Sequence, residues 1–139
     1  MGVSKIKFRK VSLTGDIEND VLDYYCIDNF IRKSNKLVLS EGNFDIIGCY
    51  SLNTLGLRDE CRAFCSGCTF SYEELLRSAC IDFSLYKPDV VILSDSDKQQ
   101  YHYRNFIRNT KSFVNSISIY YNSLAKDFGD YPQKPVKLF

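Results

Sequence analysis

The chain has 139 residues, enough for one domain with a real core, and its 18 basic and 17 acidic side chains leave a formal net charge of +1. That balance gives no global electrostatic case for nucleic acid or a membrane surface. No apolar run is long enough to span a bilayer and the N-terminus lacks a signal-peptide core, so a cytoplasmic location away from membranes is expected.

Residues 5–13 alternate at first through Ile6 and Phe8 and are rich in basic side chains, which reads as an edge strand or an arm. Thr14-Gly15-Asp16 is a turn, with Asp16 placed to cap a helix. Ile17, Val21, Leu22, Tyr25 and Cys26 then recur at helical spacing, and the pattern runs to Phe30 or Ile31. Residues 1–35 are therefore expected to form a strand-and-helix extension, a small layer separate from the main sheet.

From Lys36 a rhythm begins. The first apolar run, Leu37-Val38-Leu39, ends at Ser40-Glu41-Gly42, and a helical pattern with Phe44, Ile47 and Leu52 follows. A second strand covers about residues 61–66. Ser71 with Glu74 forms a capping box for a helix with the stripe Leu75, Leu76, Ala79, Cys80 and Phe83. Residues 90–94 make the third strand, Tyr103, Phe106 and Ile107 mark the next helix, and residues 117–121 make the fourth strand. Strands separated by single helical patterns predict right-handed crossovers. The expected fold over residues 36–139 is α/β, with a Rossmann-like, mainly parallel four-stranded sheet flanked by helices.

The six cysteines should be mostly reduced thiols. Cys61, Cys65 and Cys68 have a C-x3-C-x2-C spacing that invites a zinc or iron–sulfur reading, but they fall on a strand where Cys serves as a small buried apolar residue, and that reading is preferred. Arg104, Arg108 and Lys111 lie at helical spacing; a solvated helix surface is preferred to a basic binding face.

The strand ends carry the chemistry. Val90-Val91-Ile92-Leu93 stops at Asp95 and Asp97, which in extended geometry point to one side. Converging carboxylates raise each other's pKa unless a cation sits between them, and oxygen-only ligation suits Mg²⁺ or Mn²⁺. The alternative is an acidic turn capping the next helix. Glu41 ends the first strand and Asp127 and Asp130 follow the fourth, so a parallel sheet would bring five carboxylates to one crevice. Gly42 permits close backbone approach, and Asp45 reads as a cap for the first helix rather than a ligand.

Residues 37–45, Leu-Val-Leu-Ser-Glu-Gly-Asn-Phe-Asp, resemble the first motif of Toprim domains, an apolar strand ending in Glu-Gly with an Asp a few residues on. Residues 90–97 resemble the second, an Asp-x-Asp at a later strand end. Lys126-Asp127-Phe128-Gly129-Asp130 is similar to the Lys-Asp-x-x-Asp of bacterial and phage primases. The likeness spans roughly residues 36–130 and is nearest to phage-type DNA primases. It implies that Glu41, Asp95 and Asp97 are catalytic and bind Mg²⁺ or Mn²⁺, with Asp127 and Asp130 as further ligands and Gly42, Lys126 and Lys98 near phosphate. The implied reaction is nucleotidyl transfer from nucleoside triphosphates, making RNA primers on a single-stranded DNA template, in the host cytoplasm if the chain is phage-encoded. Lys98-Gln99-Gln100-Tyr101 stands where many Toprim proteins have a glycine. Residues 1–35 are also too short for the template-binding and zinc modules of bacterial-type primases. A fragment or subunit is therefore expected, working with missing primase domains, a helicase or another replication protein. The alternatives are a small Toprim nuclease, with Glu41 handling a proton, and a non-catalytic Toprim adaptor.

Overall fold

A computed structural model of the chain describes residues 4–12, 21–29, 31–67 and 71–139. Among the described residues, seven strands form one sheet: β1 (Ser4–Ser12), β2 (Val21–Asn29), β3 (Lys36–Ser40), β4 (Ala63–Ser66), β5 (Asp89–Ser94), β6 (Ser116–Asn122) and β7 (Pro135–Lys137), in the order β1-β2-β4-β3-β5-β6-β7. The helices are α1 (Asn43–Ser51), α2 (Leu57–Glu60), α3 (Tyr72–Asp82) and α4 (Arg104–Thr110). Strands β4, β3, β5 and β6 are mutually parallel, as the four apolar runs predict, while β1, β2 and β7 pair antiparallel. The fold is thus α/β with a mixed sheet flanked by helices. No described helix is long and apolar enough to cross a membrane.

The apolar runs of the central strands bury both faces. Leu37, Leu39, Val90 and Ile92 pack on one side with Leu75, Leu76 and Ala79 of α3 and Phe106 of α4. Val38, Val91 and Leu93 pack on the other with Ile46 and Cys49 of α1, Phe64 and Phe128. Continuous rather than alternating apolar sequence is what two covered faces require. Ser71 caps α3 as its sequence suggests: its hydroxyl accepts from Glu74 N–H at 3.2 Å and Glu74 accepts from Ser71 N–H at 3.0 Å.

Two expectations are corrected. Residues 21–29 form a strand rather than part of a helix, and β2 hydrogen-bonds to β4, so this segment extends the main sheet instead of forming a separate layer. The helical spacing passed over Tyr24 and Ile27; with Tyr25 and Cys26 they make a continuous β-favouring run, in which Cys26 joins one core and Ile27 the other. The expected helix start at residues 16–20 lies outside the described residues. On α1, the helix forms but faces the other way: Ile46, Gly48 and Cys49 are buried, whereas Phe44, Ile47 and Leu52 are exposed. Cys61 and Cys65 are fully buried in opposite cores, as the preferred reading of them as small apolar residues expects; Cys68 lies outside the described residues.

Candidate metal centre

The parallel strands run second-first-third-fourth across the sheet, so the connections leaving β3 and β5 diverge. At such a switch point the carboxyl ends of the strands open into a crevice. Ser40, Ser66 and Ser94 close β3, β4 and β5 and are fully buried. Ser40 donates to Gly42 C=O at 2.8 Å, Ser94 donates to Asp95 C=O at 2.9 Å, and Ser66 bonds the Asn43 side chain. Each serine thereby ties down the loop that carries the acidic groups.

Asp45, Asp95 and Asp127 each place a carboxylate oxygen within 4.8 Å of the others. One helix start and two loops deliver them. Asp45 is in the first turn of α1 and only 5 % exposed. Its Oδ1 accepts from the backbone N–H groups of Phe128 at 3.0 Å and Gly129 at 3.2 Å, and its Oδ2 takes a long bond from Gly42 N–H at 3.3 Å. The helix-capping contact expected of Asp45 is present, and the same side chain also belongs to the acidic trio. Gly42 has ordinary extended backbone; a Cβ there would stand 3.3 Å from Asp45 Oδ2, so the glycine clears space for this carboxylate.

Asp127 arrives from the loop after β6. Asn122, fully buried at the end of that strand, donates to Asp127 C=O at 2.9 Å and Pro132 C=O at 3.1 Å and accepts from Leu124 and Lys134 N–H. Phe128 is fully buried against α1. Gly48 makes that contact possible, because a Cβ on it would lie 2.1 Å from Phe128 C=O. Asp127 Oδ1 accepts from Gly129 N–H at 2.9 Å, a local turn that fixes the carboxylate. Ser96 N–H donates to Lys126 C=O at 2.7 Å, joining this loop to the one after β5. Asn122 and Gly48 had no signal in the sequence beyond a polar residue at a strand end and a glycine within a helix.

The remaining predicted residues separate. Asp97 does not converge with Asp95 as extended geometry implies, because the strand ends at Ser94 and the chain turns through Ser96 and Asp97. Asp97 is exposed, though near enough to act on Asp95 electrostatically, as is Glu41. Asp130 is exposed and stands outside the trio. Lys126 is the cation that opposes the rise in the Asp95 pKa. Lys98 lies with Glu41, Tyr72, His102 and Tyr103 around a pocket of about 240 Å³ beside the acidic loops.

The electrostatics follow from crowding. Burial, then Asp127 and Asp95, push the Asp45 carboxyl up to about 6 from an ordinary 3.8. Asp95 is raised by burial, then by Glu41, Asp127 and Asp97. A site made only of carboxylate oxygens, with more negative charge than its lysine can offset, fits a hard divalent cation such as Mg²⁺ or Mn²⁺. Asp95, Asp127 and Oδ2 of Asp45 have lone pairs free for it. The described thiols offer no such site: burial pushes Cys49 and Cys61 up to about 12, and the 3.5 Å contact to Cys26, then burial, holds Cys65 well above its ordinary value. No family model matches the chain, and neither does any curated protein or solved structure.

Proposed function

We propose that the chain is a Toprim-like catalytic domain that performs metal-dependent nucleotidyl transfer of the DNA primase type, together with further primase domains or a replication partner. The observation that carries this reading is the meeting of Asp45, Asp95 and Asp127 at the β3/β5 switch point, on the three segments whose sequences resemble primase motifs. Asp95, Asp127 and Asp45 would hold Mg²⁺ or Mn²⁺, with Glu41 and Asp97 at the solvent side of the site. Bound there, the cation supplies charge stabilisation for the entering and leaving oxygens of an in-line phosphoryl transfer. The protein's own part is positioning. The buried serines and Asn122 fix the acidic loops, and Lys126 adds a positive charge beside Asp95 that suits a triphosphate. The pocket of Glu41, Lys98, Tyr72 and Tyr103 lies next to these groups and gives room for a nucleotide.

The test is incubation of the protein with labelled nucleoside triphosphates, single-stranded DNA and Mn²⁺, with and without partner primase domains. Short RNA products that vanish in Asp95→Asn are expected. Cutting of the DNA without nucleoside triphosphates would instead assign a nuclease, and neither product from a metal-binding protein would leave a non-catalytic adaptor.

A further inference from the structure

The helix cations read from the sequence as a solvated surface line one groove. Arg104 and Arg108 of α4 and Lys111 just after it border a groove of about 350 Å³ whose other walls are Gln100, Tyr101, Ile107 and Phe139, and among the described residues no acidic side chain lines it. Among the described residues none of the three cations is in an ion pair, and Arg108 is held by Asn105 at 2.6 Å. At helical rise they span about 10 Å. The walls are built: Gln100 donates to Leu138 C=O at 2.7 Å, and Leu138 and Phe139 bond the backbone of Ile119 in β6. Tyr101 is 60 % exposed and stacks on His102 with ring centroids 4.1 Å apart, which leaves its other face open.

We propose that this groove binds single-stranded nucleic acid, with Arg104, Arg108 and Lys111 contacting successive phosphates and a base stacking on the open face of Tyr101. Three unpaired cations in a chain of net charge +1 concentrate positive charge locally, and an aromatic platform beside a cationic row is how single strands are held without reading their sequence. The inference rests on the nucleotidyl-transfer reading for its purpose: residues 98–104 line both this groove and the pocket at Glu41, so the two sites share one segment. Binding itself requires no metal.

The experiment is fluorescence anisotropy of a labelled short oligo(dT) with the full chain in EDTA, across about 50 to 200 mM salt. Three phosphate contacts predict a log–log salt slope of about −2, so affinity falls about 20-fold over that range. Arg104→Ala/Arg108→Ala/Lys111→Ala should weaken binding at least tenfold and flatten the slope. The charge-keeping Arg104→Lys/Arg108→Lys/Lys111→Arg should retain the slope, and Tyr101→Ala should lose about fivefold or more at every salt. Failure of the wild type to bind overturns the proposal, as does a folded triple-alanine variant that binds like wild type. So does equal affinity for a labelled polyglutamate peptide, which would assign the groove to an acidic protein segment. Because EDTA is present, absent metal binding or nucleotidyl transfer leaves strand binding as predicted. Failed strand binding, in turn, leaves the metal titration of the acidic trio as predicted.

Discussion

Asp45 links the fold to the chemistry, and its replacement by Asn measures how strongly. The metal-free folded protein binds a proton at Asp45 more tightly than the unfolded chain does, with a pKa of about 6 against 3.8. The associated stability is fully present below pH 3.8 and is lost as pH rises through about 6. A difference of about two pKa units corresponds to about 3 kcal/mol of stability lost between acid and neutral pH. Asp45→Asn removes that titration. It keeps an oxygen for the Phe128 and Gly129 N–H groups but turns an amide donor towards Gly42 N–H, at a cost of about 1 kcal/mol. In EDTA the variant should therefore be less stable than wild type by about 1 kcal/mol in acid and more stable by about 2 kcal/mol at neutral pH, the curves crossing between. Urea unfolding at a series of pH values reads this directly. Mn²⁺ added at neutral pH should stabilise the wild type and reverse the order. Parallel curves with no crossing would refute the crowded-carboxylate account.

Other consequences are separable from that one. Gly48→Ala should cost about 1–3 kcal/mol in unfolding free energy, because its methyl would lie 2.1 Å from Phe128 C=O, and should weaken Mn²⁺ binding by displacing Asp127; unchanged metal affinity would show that Asp127 does not depend on this packing. Asp127→Ala should abolish Mn²⁺ binding while Asp130→Ala reduces it little, and equal effects in calorimetry would restore the sequence expectation that both are ligands. Buried Cys26, Cys49, Cys61 and Cys65 should resist iodoacetamide in the native state and react on unfolding, as mapped by mass spectrometry; rapid native labelling of Cys49 or Cys61, whose pKa is about 12, would contradict their burial.

The parallel core was legible because β3, β5 and their neighbours are short apolar runs ending abruptly at polar residues, the signature of strands covered on both sides. The antiparallel flank was not. Tyr24 to Ile27 satisfies both a helical and an extended pattern, and pairing with β1 and β4 decides between them. For α1, exposure of Phe44 and Ile47 defeats the usual assumption that the apolar face turns inward; the buried Gly48 and Asp45 are dictated by the Phe128 loop, which is distant in sequence. The same long-range contact explains why Asp45 reads as a cap alone, whereas Asp97 parts from Asp95 for a local reason, the strand end at Ser94 and the turn that follows. Acidic strand ends were visible in the sequence; which three carboxylates meet depended on loop packing.

The most direct test of the metal centre is calorimetric titration of the protein with Mn²⁺ at about pH 7.5, where Asp45 is ionised, beside an Asp95→Asn variant whose folding has been checked. Saturable binding by the wild type that disappears in the variant is the predicted result. A folded wild type that takes up no Mn²⁺, or a variant that binds it as tightly as wild type, would contradict the assignment of Asp45, Asp95 and Asp127 as a divalent-cation site.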